Sequence, residues 1–400
     1  MRKQPRVALL GDSSSAYFRG VMRGIESYVR KHKPWAIFLS EQTADEPPKW
    51  LSTWQGDGIL ARIANERMRH AVTQTCLPTI ELSETLPSRS FSSVWTDEES
   101  VAQFAAAHLK DRKSNSFSYV GIEQFAWSKR QEVAFCREVE DADLRCERFQ
   151  IRDSSPGMEM CHGEDEKALA DWLLALPKPA GIFACDDFRG WQILEVCRQI
   201  GIAVPEEVAV IGVGNDERLC ELSTPSLTSI ELDTFGIGYE AARLLDEWIV
   251  SGHPPHSIRV KPVRIVLRQS TQGLAIADPD IARALRMIRE RACEGINVDD
   301  ILRIVPLSRR VFENRFKTLI GQTPHDYIIL VRFEHVTRLL AETDLSIAEV
   351  AARTGFCYPE YLCTAFKRRF GIRTEEYRRM CLLGTHSGEL LLSSEMGASA

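Results

Sequence analysis

From Leu307 to Tyr327 the sequence reads LSRRVFENRFKTLIGQTPHDY, and it gathers side chains suited to reading nucleic-acid bases. Arg309, Arg310, Glu313, Asn314 and Lys317 fall opposite an apolar set, Val311, Phe312, Phe316, Leu319 and Ile320, in one helical pattern. An arginine fork pairs with guanine, an asparagine amide with adenine, and a glutamate accepts from cytosine. Arg310, Asn314 and Glu313 are the candidates for those three roles. Glu313 also has a plainer reading, an ion pair with Lys317 one turn on. A second copy follows at Leu345–Tyr377, LSIAEVAARTGFCYPEYLCTAFKRRFGIRTEEY. Each copy carries a Phe-Lys step, Phe316-Lys317 and Phe366-Lys367, and then a glycine, Gly321 and Gly371. Two helix-turn-helix units in tandem imply a reader of double-stranded DNA, in which the second helix of a unit enters the major groove.

The flanking sequence supplies the elements that must position these side chains. Val298, Ile301, Leu302 and Val305 mark a first helix, Pro306-Leu307 a turn, and Ser308 the cap of the reading helix 308–320. Thr323-Pro324 is a strong helix start, and the helix from there to about Glu342 is long enough to bridge the two units. Ser346 and Glu349 form a capping box for the next helix. Gly355 stops it where a left-handed residue is needed, and the second reading helix starts near Pro359. The two units thus span 298–320 and 346–370.

Four hundred residues suggest two or three domains. The net charge of −6 looks wrong for a DNA binder until it is split. Residues 281–381 carry 18 Lys+Arg against 13 Asp+Glu, whereas residues 1–280 carry 32 against 41. Sixteen of those 18 cations are arginine, which suits bidentate contacts to phosphate and guanine. The N-terminus, MRKQPRVALLGD, does not read as a signal peptide, and no stretch approaches a membrane span. The 11 cysteines lack metal-ligand spacing and read as reduced, mostly buried thiols of a cytoplasmic protein, with no metal site and no cofactor.

From residue 6 to about 270 short apolar runs alternate with amphipathic helical segments. The runs are VALL (7–10), AIFL (36–39), GIL (58–60), FSYVG (117–121), GIFAC (181–185) and VAVIGV (208–213). The segments include Phe18–Arg30, Glu98–Lys110, Lys129–Val139 and Arg189–Ile200. Such alternation implies doubly wound parallel sheets in two lobes. Leu10-Gly11-Asp12 starts like a dinucleotide turn, but no GxGxxG follows. Tyr28–Trp35 reads as surface loop, Ile258–Leu267 as one strand, and Gln269–Pro279 as a short linker, set at 271–280 between the two domains. The chain is purely helical from Ile281, and 381–400 reads as a flexible tail.

Residues 281–380 resemble the AraC-type regulators, built of two helix-turn-helix units joined by a long helix. The whole chain resembles the xylose-operon-regulator branch of that family. The likeness rests on VALL-x₅-AYFRGVMRGI, DWLLALPKPAGIFACDDFRG, VPEEVAVIGVGNDE and TPSLTSIELDTFGIGYEAARLLD. It implies an α/β two-lobed periplasmic-binding-protein-like sensor, 1–270, in front of an all-α tandem helix-turn-helix domain, 281–380. By analogy the second reading helix presents Pro359, Glu360, Tyr361 and Thr364, with Lys367 beyond. Tyr358 stands where the family has a capping serine, which costs on the order of 1 kcal/mol. Arg373-Thr374 replaces the Thr-Pro opening of the last helix.

Two doubly wound lobes place a ligand at the strand carboxyl ends. A sugar there needs carboxylates and amides for hydroxyls, and aromatics for ring faces. The candidates are Tyr17, Phe18, Asp97, Trp127, Ser128, Asp186, Asp187 and Asn215. Asp186 and Asp187 have a second reading as caps of the following helix. The resemblance implies an aspartate at Gly214, an arginine at Gln131 and an asparagine at Glu98, with Lys129 or Arg130 left as substitutes for the arginine. No GxSxG, P-loop, HExxH or Cys/His pair is present, so no catalytic residue is assigned and the chain is expected not to be an enzyme. The expected partners are duplex DNA, a carbohydrate-like effector, a second copy of the chain and, as a further candidate, RNA polymerase. The alternative is a DNA-binding regulator whose sensor no longer binds sugar and serves for dimerisation.

Overall fold

The N-terminal apolar runs are too short for helices, and they form central strands covered on both faces. A computed structural model describes residues 4–41, 46–82, 86, 91–112, 114–151, 164–272 and 278–382, in two compact units, Met1–Ala275 and Ile276–Ala400. In the first unit the strands are β1 (Arg6–Gly11), β2 (Ala36–Glu41), β3 (Gly58–Ala61), β4 (Thr79–Glu81), β5 (Ser92–Thr96), β6 (Ser116–Ile122), β7 (Cys146–Ile151), β8 (Ala180–Ala184), β9 (Val208–Val213), β10 (Thr228–Glu231), β11 (Ile258–Val260) and β12 (Arg264–Val266). They make two six-stranded sheets, β11-β5-β4-β3-β1-β2 and β12-β10-β9-β8-β6-β7. The first is wholly parallel; in the second only β12 runs antiparallel, against β10.

The helices of this unit are α1 (Ala16–Lys31), α2 (Glu66–Gln74), α3 (Glu98–Asp111), α4 (Ala126–Glu140), α5 (Glu164–Ala175), α6 (Asp187–Ile200), α7 (Glu217–Leu222) and α8 (Thr234–Ser251). Helix α8, from the far end of the sensor sequence, packs on α1 in the first lobe. Glycines allow the approach: a Cβ on Gly24 would strike the Phe235 carbonyl, and one on Gly238 the Val21 carbonyl. Val21, Ile25, Leu60, Ile80, Ile237 and Leu245 share that core, while Phe117, Tyr119, Phe135, Phe183 and Ile211 fill the second lobe.

The chain therefore passes between lobes three times, after β5, after β10 and between β11 and β12. The last passage corrects the single strand expected over Ile258–Leu267. Its Pro262 has no N–H for a ladder, and β11 and β12 belong to different sheets. Four strands escape the sequence pattern because their residues are mixed: β4, β5, β10 and the half-exposed edge β7. Tyr28 and Trp35 are buried rather than loop-like, because Tyr28 ends the core face of α1 and stacks on His32. The expected linker also starts too early, since Ser270 and Thr271 are fully buried in the second lobe. Residues 273–277 and 383–400, which hold most of that linker and tail, lie outside the described residues. The all-thiol expectation is corrected as well. Cys136 on α4 and Cys146 on β7 form a disulfide, and Cys76 and Cys357 are exposed, leaving only Cys185, Cys197 and Cys220 as buried thiols among the described residues. Sequence spacing could not show that an adjacent helix and strand bring the first two together.

The second unit is helical: α9 (Pro279–Arg291), α10 (Val298–Leu302), α11 (Arg309–Ile320), α12 (Pro324–Glu342), α13 (Ile347–Arg353), α14 (Pro359–Phe370) and α15 (Thr374–Leu382). Thr323 caps α12 with Pro324 in its first turn, and Ser346 with Glu349 closes a capping box on α13. Gly321 and Gly371 end α11 and α14 in the left-handed conformation, and their N–H groups return to Lys317 and Lys367. The two helix-turn-helix units thus end their reading helices alike. Arg332, midway along α12, donates to the carbonyls of Ala292 (2.8 Å) and Ile296 (2.9 Å) and lies over the Phe356 ring. It ties the first subdomain to the second through one side chain.

Gly355 seals the same junction. Its φ is +74°, and a Cβ would sit 2.8 Å from the Ala292 carbonyl oxygen and 2.9 Å from that of Cys293. Gly371 has the same φ but open space around it. Both alanine variants bear left-handed strain of about 1–3 kcal/mol, and only Gly355→Ala adds a backbone clash. Urea unfolding of the full chain should show Gly355→Ala clearly less stable than Gly371→Ala; equal losses would contradict the close approach.

Candidate functional site

The reading face of α11 takes shape through its buried side. Phe312 and Phe316, one turn apart, are fully buried and hold the helix, stacking edge-on with each other and, through Phe316, with Tyr327. Val311 and Leu319, expected inside, are each 40% exposed. They share a stripe with Arg315, to one side of the Phe312–Phe316 line, which is why the apolar pattern alone misplaces them. Ser308 occupies the cap position, but its hydroxyl makes no capping bond.

Outside, Arg309 donates to Glu313 (2.9 Å) and to Asp299 of α10 (2.8 Å). Glu313 is thus paired with Arg309, not with Lys317. The swap follows from Arg309 preceding Glu313 by one turn, with Asp299 fixing its other nitrogen. Arg310, Asn314 and Lys317 remain exposed, with no hydrogen bond or ion pair among the described residues. They form an unspent donor set on the helix face.

On α14, Leu362, Ala365 and Phe366 are buried, while Glu360, Tyr361, Thr364 and Lys367 are exposed and Pro359 is half-exposed. Tyr361 rests against Phe356, and Thr364 spends its hydroxyl proton on the Glu360 carbonyl (2.8 Å). Tyr358, 69% exposed, caps nothing. This helix offers an aromatic edge and methyl groups near its start and cations only in its last turn, Lys367, Arg368 and Arg369.

In the sensor, the strand ends bring together a polar set near the first crossing. Tyr17 donates to the Leu82 carbonyl (3.2 Å). Burial, with Glu98 beside it, pushes its hydroxyl pKa up, partly offset by Thr96 and Arg62. Asp97 caps α3 through Ser100. Gln131, 2% exposed, donates to Glu98 (2.7 Å) and accepts from the Tyr119 hydroxyl (3.3 Å). The two departures from the family pattern at 98 and 131 are therefore one hydrogen-bonded pair. Lys129 is bound to Glu132 (2.6 Å), so it is no free clamp. Trp127 is half-buried, stacked on Phe125.

Two candidates at the starts of α1 and α4 do not line open space, and Asp187, described below, is buried as well. Phe18 is 1% exposed, its ring filling the place where Gly11 lacks a side chain. Ser128 is fully buried, its oxygen accepting from the Ile122 N–H (2.9 Å) and meeting the Tyr119 hydroxyl (3.0 Å). Both face inward from the first turn of their helices, a direction that sequence position does not reveal.

The third group sits at the ends of β8 and β9. Asp186 caps α6 by accepting from the Arg189 N–H (2.7 Å). Asp187, 3% exposed, accepts from the Asp216 N–H (2.7 Å) and the Ser229 hydroxyl. Ser229 also accepts from the Asn215 N–H (3.0 Å). Asn215 is left-handed, φ +51°, and follows Gly214 at φ +122°. A Cβ at Gly214 would lie 3.2 Å from an Asp187 carboxylate oxygen. A family aspartate at 214 would be strained here and set against a second acid. Sequence reasoning missed Arg62, Glu98 as a partner, and Arg189, which is 2% exposed and donates to Gln192 (2.8 Å). The motif CDDFRG contains Arg189, but only the fold shows that it is buried at the helix entrance.

Known proteins match along most of the chain. Residues 6–91 match the XylR N-terminal domain, 106–271 a periplasmic binding protein-like domain, and 301–380 a helix-turn-helix domain. The xylose operon regulatory protein of Escherichia coli strain K12 is 32% identical over 387 residues, 94% of this chain and 97% of that protein. Its namesake in Haemophilus influenzae is 29% identical over 389 residues, 94% of this chain and 98% of that one. A solved structure described as xylose-binding transcription activator xylR superposes with a TM-score of 0.81 at 30% identity, covering 95% of this chain and 99% of that one.

Burial raises the Asp187 pKa from 3.8 to about 7, against the lowering effect of Ser229 and the Asp216 N–H. A carboxyl raised on folding favours the fold when protonated. Its contribution is full below pH 3.8 and is lost as pH climbs through about 7. Asp187→Asn, neutral throughout, should therefore look least favourable against wild type near pH 4 and gain on it toward pH 8. Thermal unfolding across that range checks this; a pH-independent gap would show that Asp187 does not titrate there.

Proposed function

The chain belongs to the family of xylose operon regulatory proteins, DNA-binding transcription regulators with a periplasmic-binding-protein-like sensor, and from that premise we propose that it controls carbohydrate-metabolism genes in response to a sugar-like effector held between the sensor lobes. One observation carries the DNA half: Arg310, Asn314 and Lys317 stand exposed and unpaired, among the described residues, on a helix anchored by Phe312 and Phe316. In this reading α11 reads bases, with Arg309 and Glu313 locked to each other as a support. Helix α14 docks by shape through Pro359, Glu360, Tyr361 and Thr364, with Lys367 on phosphate.

The effector reading is supported by the polar groups at facing strand ends. Tyr17, Asp97, Glu98 and Gln131 lie at the first crossing, and Asp186, Asp187 and Asn215 at the ends of β8 and β9, with Trp127 as an apolar wall. Glu98 replaces a neutral amide and Gln131 a cation, and Lys129 is already paired. Those changes favour a neutral polyhydroxylated ligand over a uronate or a phosphate. The protein in this reading works in the cytoplasm as a homodimer on paired half-sites, with RNA polymerase as a further contact; no described helix is long and apolar enough to cross a membrane. The competing reading, a sensor that no longer binds sugar, is favoured by the self-satisfied Glu98–Gln131 pair and the missing acid at 214.

Selection of duplexes by the full chain should give a site whose binding weakens steeply with salt, since neutralised phosphates release counterions. On that site Arg310→Ala or Asn314→Ala should cost roughly 1–3 kcal/mol and relax one base position each. Losses of equal size on every sequence would mark these side chains as phosphate contacts instead.

Calorimetry with D-xylose and a panel of neutral and acidic sugars separates the two effector readings. Restoring the family residues together, Glu98→Asn with Gln131→Arg, should tighten D-xylose by about tenfold, the worth of one charge-assisted hydrogen bond. No sugar bound by either protein would leave the sensor as an association module.

A further inference from the structure

The last turn of the sensor is built into the lobe rather than hung from it. Arg268 has a side chain only 8% exposed, and its guanidinium makes three separate contacts. It donates to Glu221 (2.6 Å), to the Leu227 carbonyl (3.1 Å) and to the Asn215 side-chain oxygen (3.0 Å). Its backbone is fixed too: its N–H donates to the Thr228 hydroxyl (2.8 Å), which donates back to its carbonyl (2.9 Å). Ser270, fully buried, accepts from the Thr228 N–H (2.8 Å) and donates to the Val210 carbonyl (2.6 Å). Thr271, also fully buried, meets Thr228 (2.8 Å) and His108 of α3 (2.8 Å).

The far end of this network is the cleft. Asn215 shares Ser229 with Asp187, and its left-handed backbone aims its amide from a turn that the ends of β9 and β10 control. A continuous set of hydrogen bonds thus runs from Asp187 through Ser229 and Asn215 to Arg268, and from there into the segment 268–271. Covalently, that segment is where the chain leaves for the helices that read DNA. Satisfied polar networks of this kind are stiff and switch between discrete arrangements.

We propose that Arg268 is the positioning residue that couples the effector cleft to DNA binding, by joining Asn215 to the buried exit segment 268–271. This rests on the reading of Asp187 and Asn215 as effector contacts. A ligand that engages Asn215 draws the amide from the Arg268 fork or holds it there. The exit segment then has two anchored states for a ligand to choose between. A merely structural Arg268 would contribute stability and nothing to communication.

The test uses the full chain, D-xylose and the selected duplex. Wild type should change its DNA affinity on adding D-xylose by about 5–150-fold, the usual range of such couplings. Arg268→Met keeps the stem and removes the fork. It should bind D-xylose within about threefold of wild type, while the sugar's effect on DNA affinity falls to less than about twofold. Arg264→Met, which removes a more exposed pair with Glu231 on the neighbouring strand, is the control and should leave the effect intact. Full coupling in Arg268→Met would overturn the proposal.

A second measurement needs no sugar. In Asn215→Ala, amide exchange at Arg268 and Ser270 should quicken by about fivefold or more, because the exit segment loses a tether. Unchanged exchange there would sink the coupling role even if D-xylose binds. Faster exchange in a protein that ignores every sugar would instead sustain the Arg268 connection and reject the effector reading beneath it.

Discussion

Three passages of the chain between two parallel sheets govern what the sensor can do. Each sheet is completed by sequence from the other side of a crossing: β11 returns to the first, β12 to the second, and α8 lies on α1 with backbone nearly touching backbone. Because all strands but β12 run parallel within their sheets, their carboxyl ends gather the polar side chains, while the faces are given to apolar cores. Tyr17, Glu98 and Gln131 meet at the first crossing for that reason. Residue 268 joins 214–216 by another route: β12 runs antiparallel to β10, so the Arg268 backbone lies at the start of β10 and its side chain reaches across to Asn215.

The DNA-reading half obeys a different constraint. Two copies of one motif must be held at a fixed spacing to sit in successive grooves. Helix α12 packs into both units. Arg332 and Gly355 tighten the junction, one by hydrogen bonds to two carbonyls, the other by the absence of a side chain. The surface can then be left uncommitted, and on α11 it is: cations and an amide stand outward while a nearby arginine is tied down.

Much of this was legible in the sequence, and the limits are physical. The repeats, caps and glycine stops of the C-terminal half are local signals, and α12, α13 and α14 lie where those signals place them. Apolar runs such as VAVIGV mark central strands because both faces are buried. Strands such as the edge β7 and the short β5 carry mixed residues and show no such pattern. Side-chain direction was the other gap. Phe18 and Ser128 occupy the right positions along the chain but face the core, and Val311 and Leu319 face out. The Glu98–Gln131 pair joins residues from two helices, so each departure looked like a loss alone, whereas together they satisfy one another.

The most direct single measurement is a crystal structure of the full chain grown with its selected duplex and D-xylose. The prediction is that α11 lies in a major groove with Arg310 and Asn314 on base edges, and that the sugar lies between the lobes against Tyr17, Trp127 and the Glu98–Gln131 pair. A reading helix held off the groove, or a sugar absent from the strand ends, would contradict a sugar-responsive DNA reader.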